Sequence, residues 1–393
     1  MITIILLLFI LSGFLLFIEY RIHLHNLNSI PIRIHVNGTR GKSSVTRLIA
    51  GALREHGIRT FAKTTGTLPR MIMHDGNEYP IYRPSRPNII EQLRIVSMAA
   101  HNGAEALVIE CMAVQPLLQS ISELKMIRAT HGVITNTRAD HLDVMGPLER
   151  NVVEALLGTT PQKGYLFTAE ADYVDEFRDV CKDRQSELCL VDRNEIEKVA
   201  DQDMAGFSYV EHKENVALAL KVSASFGVRR DVALRGMWKA IPDPGAMSEH
   251  ELDFFGRKIL FINGFAANDP ESSERIWQMA LERHPQSERK IMIINSRPDR
   301  PDRSKQLGEA VPGWIPADHY ILMGGGIYVF FRTIVANGLD SSKIVYAEGM
   351  AVDRIFEEVM RLSGRSALVM GIGNIGGQGL ELANYFRNRT AIE

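Results

Sequence analysis

Ile34-His35-Val36-Asn37 runs into Gly38-Thr39-Arg40-Gly41-Lys42-Ser43-Ser44, and Val45-Thr46-Arg47-Leu48-Ile49-Ala50-Gly51-Ala52-Leu53 follows without a break. Apolar β-formers, a glycine loop and a helix-like run, in that order, read as strand, tight turn and helix N-terminus. The turn then presents backbone N–H groups and the positive end of the helix dipole to an anion. Gly38 and Gly41 let the backbone come close, Lys42 can reach outer phosphates, and the Ser43 hydroxyl can hold Mg²⁺. The loop is two residues shorter than the usual G-x-x-x-x-G-K-[ST] pattern. Nucleotide binding is the expectation it sets.

Ile2–Ile18 carries no charged residue and is almost wholly aliphatic or aromatic. No basic residue precedes it and no small-x-small cleavage site follows, so it does not read as a removed signal peptide. It lacks the polar face of a buried core helix. A transmembrane anchor at the short end of bilayer-spanning lengths is the expectation. Arg21, Arg33, Arg40 and Lys42 follow the span, which puts the globular body on the cytoplasmic side of a single-pass cell-membrane protein. The rest is ordinary α/β composition, with formal net charge −2 and scattered basic residues, which gives no reason to expect nucleic acid as a partner. Cys111, Cys181 and Cys189 lack metal-type spacing and read as free thiols.

Strand-like runs alternate with amphipathic helical stretches along the chain. Ile32–Val36, Ala106–Ile109, Gly132–Thr135 and Tyr165–Thr168 form a first strand series. Lys258–Ile262, Lys290–Asn295, His319–Met323, Lys343–Tyr346 and Ser366–Met370 form a second. Such alternation predicts parallel-rich sheets with helices on both faces. Between the series, helices around Asn215–Ser225 and Asp231–Ala240 lead into Ile241-Pro242-Asp243-Pro244-Gly245, the best linker candidate. The expected plan is an anchor over 1–20, an ATP-binding domain over 21–245 and a Rossmann-like domain over 246–393.

Two further strand ends carry chemistry. Ala106-Leu107-Val108-Ile109 ends in Glu110, placed where a Mg²⁺ ligand beside the phosphate loop would sit, because ligands collect at the carboxyl ends of strands. The alternative is a strand-terminal Glu on the surface. After Val133-Ile134-Thr135 come Asn136, Asp140, His141 and Asp143. So dense a polar group suits metal and phosphate work, although Asp-x-x-Asp turns also occur as plain loop chemistry.

Gly38-Thr39-x-Gly41-Lys42-Ser43 resembles the short phosphate loop of the Mur ligases and folylpolyglutamate synthases. Glu110, and Thr135-Asn136 with Asp140-His141-Leu142-Asp143, match that family's next two motifs in order and spacing. Ile241-Pro242-x-Pro244-Gly245-x-Met247-x-Glu249 resembles the junction before its C-terminal domain. Asn263 and Ala267-Asn268-Asp269-Pro270 resemble its Asp-x-Ala-His-Asn-Pro segment. With the anchor, the chain is most similar to the ligase subunits of poly-γ-glutamate synthases.

That resemblance implies a Mur-ligase-like fold and an ATP-dependent amide ligase that polymerises glutamate through an acyl phosphate, releasing ADP and phosphate. It implies ATP with Mg²⁺, or Mn²⁺ in its place, and as partners glutamate, the growing chain and small membrane subunits. Lys42 would steady the outer phosphates; Ser43 with Glu110 would hold Mg²⁺, and His141 a second metal near the γ-phosphate and the carboxylate; Asn136 and Asp140 would support that shell. Gly38, Thr39, Arg40, Gly41, Ser43 and Ser44 would cradle the nucleotide, with Asn268 and Asp269 orienting nucleotide or amine.

There are departures. Ala155 stands where many Mur ligases carry a carbamylated Lys, so Glu154 is either a replacement carboxylate or a surface helix residue. Ala246 and Ala267 replace the family's Arg and His. Thr64-Thr65-Gly66-Thr67 resembles a second family loop, and as chemistry alone is a turn. Arg297, Asp299, Arg300, Asp302 and Arg303 form a loop that either clamps anions or pairs internally. Gly371-x-Gly373-Asn374-x-Gly376-Gly377 reads as a tight strand–helix turn, because no acidic residue follows at the distance a dinucleotide site needs. Rival functions are a Mur or folylpolyglutamate-type ligase adding single residues, and a membrane-tethered P-loop ATPase driving a partner.

Overall fold

The structure, a computed structural model, describes residues 2–66, 68–83, 87–207, 209–243, 247–267 and 269–390. Thr67, Pro244, Gly245, Ala246 and Asn268, all within motifs read above, lie outside the described residues. The chain divides into two compact units, Met1–Ile241 and Pro242–Glu393.

In the first unit the strands are β1 Ile32–Asn37, β2 Thr60–Thr64, β3 Arg70–Ile72, β4 Glu78–Pro80, β5 Ala106–Glu110, β6 His131–Ile134, β7 Tyr165–Thr168 and β8 Glu187–Leu190. They form one sheet in the order β4-β3-β2-β5-β1-β6-β7-β8. Pairings are parallel except β2–β3 and β3–β4, an antiparallel extension at one edge. The turn joining β3 to β4 is built on Asp75-Gly76, where Asp75 Oδ1 accepts the Asn77 N–H at 2.9 Å and Gly76 adopts φ 88°, a residue pair suited to such turns.

β1 lies between β5 and β6, with Val36 opposite Glu110 and Asn37 opposite Ile134. Helix Lys42–Glu55 packs Val45, Leu48, Ile49, Ala52 and Leu53 onto this sheet, all fully buried. Each of its larger aliphatic side chains contributes about 1.5–3 kcal/mol on burial. Arg47, on the same helix, is also buried; it forms a bidentate pair with Glu78 of β4 and donates to the Ile241 carbonyl at 2.9 Å.

The N-terminal helix spans Ile2–Ser29, longer than the apolar run. By length and composition it is a candidate membrane span, and its 18-residue apolar window has no buried share. Its last turns dock instead. Leu27 joins Ile95, Val96 and Ile127 in a buried cluster, and His23 is buried too. Arg33 fixes the junction: its guanidinium donates to the carbonyls of Leu27 (3.0 Å), Ile30 (2.6 Å), Ile127 (3.2 Å) and Arg128 (3.0 Å).

Beneath β1, fully buried His35 sits 2.8 Å from Glu123, on a π-helical turn Ser122–Ile127 that periodicity does not reveal. Burial works against a charged ring, but hydrogen bonding to Cys111 and Glu123 outweighs it, and His35 is pushed up to about 9. The folded state therefore holds this proton more tightly than the unfolded chain. That contribution is whole below the ordinary value of 6.5 and is lost as pH rises to about 9. The melting temperature should fall across that window, and His35→Gln should flatten the slope. A wild-type profile flat from pH 6.5 to 9, or the same slope in the variant, would refute the pairing.

In the second unit the strands are β9 Ser248–Phe254, β10 Arg257–Asn263, β11 Arg289–Ser296, β12 His319–Gly324, β13 Ile344–Glu348 and β14 Ser366–Gly373. Their order is β13-β12-β11-β14-β10-β9, with only β9 antiparallel. Cores cover both faces, around Trp277 and Phe330 on one and Phe261 and Phe386 on the other. The glycine run after β14 is a tight strand–helix turn: Gly373 has φ 99°, and a Cβ there would lie 2.6 Å from the Asn295 carbonyl. In the charged loop, Arg297 pairs with Asp299 at 2.7 Å, and Arg303 donates to Asn374 Oδ1 at 2.7 Å.

Candidate active site

Because β1 has β5 and β6 as its neighbours, three polar strand ends meet at one edge of the first sheet. Gly38 leaves β1 with φ 130°, and a Cβ on it would come 2.0 Å from Thr135 Oγ1 just past β6. Gly41, at φ 77°, is the N-cap of helix Lys42–Glu55 and lies against Asn215, whose Oδ1 would be 2.9 Å from any Cβ. Glycine at these positions is what lets the loop close on its neighbours.

The loop is cross-braced to the end of β6. Asn136 Oδ1 accepts the Thr39 hydroxyl at 2.6 Å and the Arg40 N–H at 3.2 Å, while Asn136 Nδ2 donates to the Arg40 carbonyl at 3.0 Å. Thr135 Oγ1 donates to the same carbonyl at 2.5 Å. The Lys42 ammonium lies over the loop, donating to the carbonyls of Gly38 (2.6 Å) and Thr39 (3.3 Å). Ser43 and Ser44 occupy the first turn of the helix.

Glu110 closes the other side. Its Oε2 accepts the Ser43 hydroxyl at 2.8 Å and the Thr65 N–H at 2.7 Å, and the residue is 2% exposed, so the surface alternative does not hold. Hydroxyl and carboxylate oxygens side by side are the donors that hard divalent cations take. Among the described residues no group of three or more His, Cys, Asp and Glu is gathered as an ion cage. His141 enters through its neighbour: Asp140 Oδ1 accepts the His141 N–H at 3.0 Å, and Asp140 Oδ2 lies 3.9 Å from Arg40 Nη1. His141 itself sits at φ 48°, a strained conformation for a side chain of this kind.

Three supports are invisible to motif reading. Glu170, just past β7, accepts both the N–H (3.0 Å) and the hydroxyl (2.7 Å) of Thr137 and so holds the loop that carries Asp140 and His141. Asn215, packed on Gly41, donates to Glu211 at 2.8 Å. Lys63, fully buried in β2, pairs with Glu91 at 3.0 Å, and Glu91 in turn takes a bidentate Arg83. Burial pushes the Lys63 ammonium down, opposed by Glu91 and, as a smaller effect, by Glu110. Glu154 lies exposed on helix Glu149–Leu157, 3.8 Å from Arg150 and within 3.4 Å of Asn151. Asp269 caps helix Pro270–Arg283 by accepting the Ser272 N–H at 2.8 Å.

Residues 36–228 match the Mur ligase middle domain, and residues 249–389 match the poly-gamma-glutamate synthase CapB C-terminal domain. The chain is 40% identical over 361 residues to the capsule biosynthesis protein CapB of Bacillus anthracis, covering 91% of this chain and 77% of that one. It is 37% identical over 362 residues to the PGA synthase CapB of Bacillus subtilis (strain 168), covering 92% and 91%. Among solved structures, the bifunctional folylpolyglutamate synthase/dihydrofolate synthase of Yersinia pestis, complexed with AMPPNP and Mn ion, superposes with a TM-score of 0.68 at 13% identity, over 93% of this chain and 91% of that one. FolC of E. coli in complex with ADP gives 0.67 at 14% identity, over 92% and 90%. At those identities the likeness is one of fold.

Proposed function

The chain belongs to the CapB family of poly-γ-glutamate synthases, and on that premise we propose that the cluster around Gly38–Ser44, Glu110 and Asn136 activates a carboxylate with ATP for amide formation. It is an ATP-dependent ligase that makes poly-γ-glutamate, forming ADP and phosphate. The observation that carries the site is the Ser43–Glu110 contact at 2.8 Å, made where a glycine loop and a helix N-terminus converge.

Phosphoryl transfer asks a protein for positioned donors and neutralised charge more than for covalent help. Backbone N–H groups of the 38–44 loop bind the phosphates, and the Lys42 ammonium balances charge on the outer ones. Ser43 and Glu110 would hold a divalent cation, Mg²⁺ or Mn²⁺, and His141 on the loop after β6 a second; when bound, such cations draw charge off the transferring phosphoryl group. Asn136 and Asp140 keep loop and neighbour in register. The carboxylate of the chain end takes the γ-phosphoryl group as ADP leaves. The amine of an incoming glutamate then attacks the acyl carbon, phosphate departs with the C–O bond, and the amine gives up a proton.

Helix Ile2–Ser29 seats this unit as a single-pass anchor, body on the cytoplasmic side, and offers its apolar surface to small membrane subunits. Membranes carrying the chain, given ATP, Mg²⁺ and radiolabelled glutamate, should yield labelled polymer with ADP and phosphate in step. A product one residue longer than its acceptor would instead assign a single-addition ligase. ATP hydrolysis indifferent to glutamate would assign a tethered ATPase.

A further inference from the structure

The end of the first unit opposite the phosphate loop holds an open cavity of about 740 Å³. The leading turns of β6, β7 and β8 and the π-helical turn Ser122–Ile127 wall it, and its lining is cationic: Lys125, Arg128, Lys163 and Arg184, with Arg33. Of the two carboxylates present, Glu123 is committed inward to His35 and to the Ala129 N–H at 2.8 Å, and Asp183 lies 4.0 Å from Arg184. Arg33 is spent on carbonyls of the helix junction. Among the described residues the ammonium groups of Lys125 and Lys163 have no carboxylate within ion-pair distance.

The backbone adds a second observation. Five described non-glycine residues have positive φ, and three of them line this cavity: Arg128 (47°), Lys163 (56°) and Gln185 (57°). Glycine would relax each of these turns. The chain instead keeps a long polar side chain at all three.

Position supplies the third. Arg128 Nη2 donates to the Tyr20 hydroxyl at 3.2 Å. Tyr20 lies two residues past Ile18, where the apolar run ends, about 3 Å along a helix axis. Tyrosine at such a place marks the level of bilayer headgroups. With Ile2–Ser29 read as a membrane anchor, the rim of the cavity stands at the level of lipid phosphates.

We propose that this basic cavity binds the phosphate headgroup of an anionic phospholipid; the inference rests on the reading of Ile2–Ser29 as a membrane anchor. Lys125 and Lys163 supply charge, and Arg128, braced by Tyr20, supplies a guanidinium at the rim.

The test uses the full-length chain in non-ionic detergent micelles. Dihexanoylphosphatidylglycerol, dihexanoylphosphatidylcholine and inorganic phosphate are titrated separately, with bound lipid read by native mass spectrometry. The glycerol lipid should bind at least tenfold more tightly than the choline lipid. A Lys125→Gln/Lys163→Gln double variant should lose roughly 25-fold, from about fivefold per cation. Both side chains are exposed, and an unchanged melting temperature confirms an intact fold. Equal binding of the two lipids, or undiminished binding by the double variant, overturns the proposal. Inorganic phosphate binding as tightly as the glycerol lipid, or displacement by poly-γ-glutamate at lower concentration, reassigns the cavity and overturns it too. Micelles require no bilayer insertion, so failure here leaves the anchor to a separate measurement, pelleting of the chain with vesicles after carbonate extraction.

Discussion

Replacing Lys42 with alanine lowers ATP-dependent glutamate incorporation by about 10²-fold or more while the chain stays folded. The size follows from the role: a preorganised cation aimed at developing phosphate charge contributes that much to a transition state. The geometry isolates the effect, since among the described residues Lys42 hydrogen-bonds only carbonyls of its own loop, Gly38 and Thr39. Arginine is not a substitute, because a planar fork does not reproduce a compact ammonium over so tight a turn. The measurement pairs initial rates with a thermal melt. Incorporation at the wild-type rate would remove Lys42 from the chemistry, and a collapse in melting temperature matching the loss of rate would make it structural.

Glu110→Gln is expected to cost roughly a thousandfold in rate, the effect of several kcal/mol of metal-borne charge stabilisation. The amide oxygen still accepts from the Ser43 hydroxyl and the Thr65 N–H, so the shape of the corner is kept and only the charge is lost. The diagnostic is a divalent-cation titration: the variant should need far more Mg²⁺ or Mn²⁺ to reach half its own maximal rate. If the half-saturating concentration does not move, Glu110 is a support for the loop around Thr65 and not a metal ligand.

Much of this arrangement was legible in the sequence, for a reason particular residues show. β5 is an unbroken apolar run up to Glu110, and β1, β6 and β7 carry enough Ile, Val, Leu and Phe between helical stretches to read as buried parallel strands. Each ends in its polar residue, so Glu110 and Asn136 could be placed at strand ends by inspection. What spacing does not contain is that β5 and β6 flank β1, because pairing is set by contacts far apart in sequence.

Elements were missed where a polar residue is buried by a partner that sequence does not reveal. Lys63 argues against a strand at Thr60–Thr64 until Glu91 is seen beside it. β9 has only Leu252 buried among its seven residues, and so reads as loop. The N-terminal helix runs past its apolar stretch for a related reason: the polar residues after Ile18 look like an ending, yet the turns that follow dock on the first unit. Glu170 and Asn215 had no signal of their own, since each matters only for the loop it touches across the fold.

The joint at Arg33 leaves no slack between the N-terminal helix and the catalytic unit. Four carbonyls held by one guanidinium, with Leu27 buried beside Ile95 and Val96, make a corner that ties the foot of the helix to the body of the first unit. From that corner β1 runs six residues, roughly 20 Å, to the phosphate loop. The foot of the helix and the phosphate loop are thus the two ends of one short, continuous path along β1.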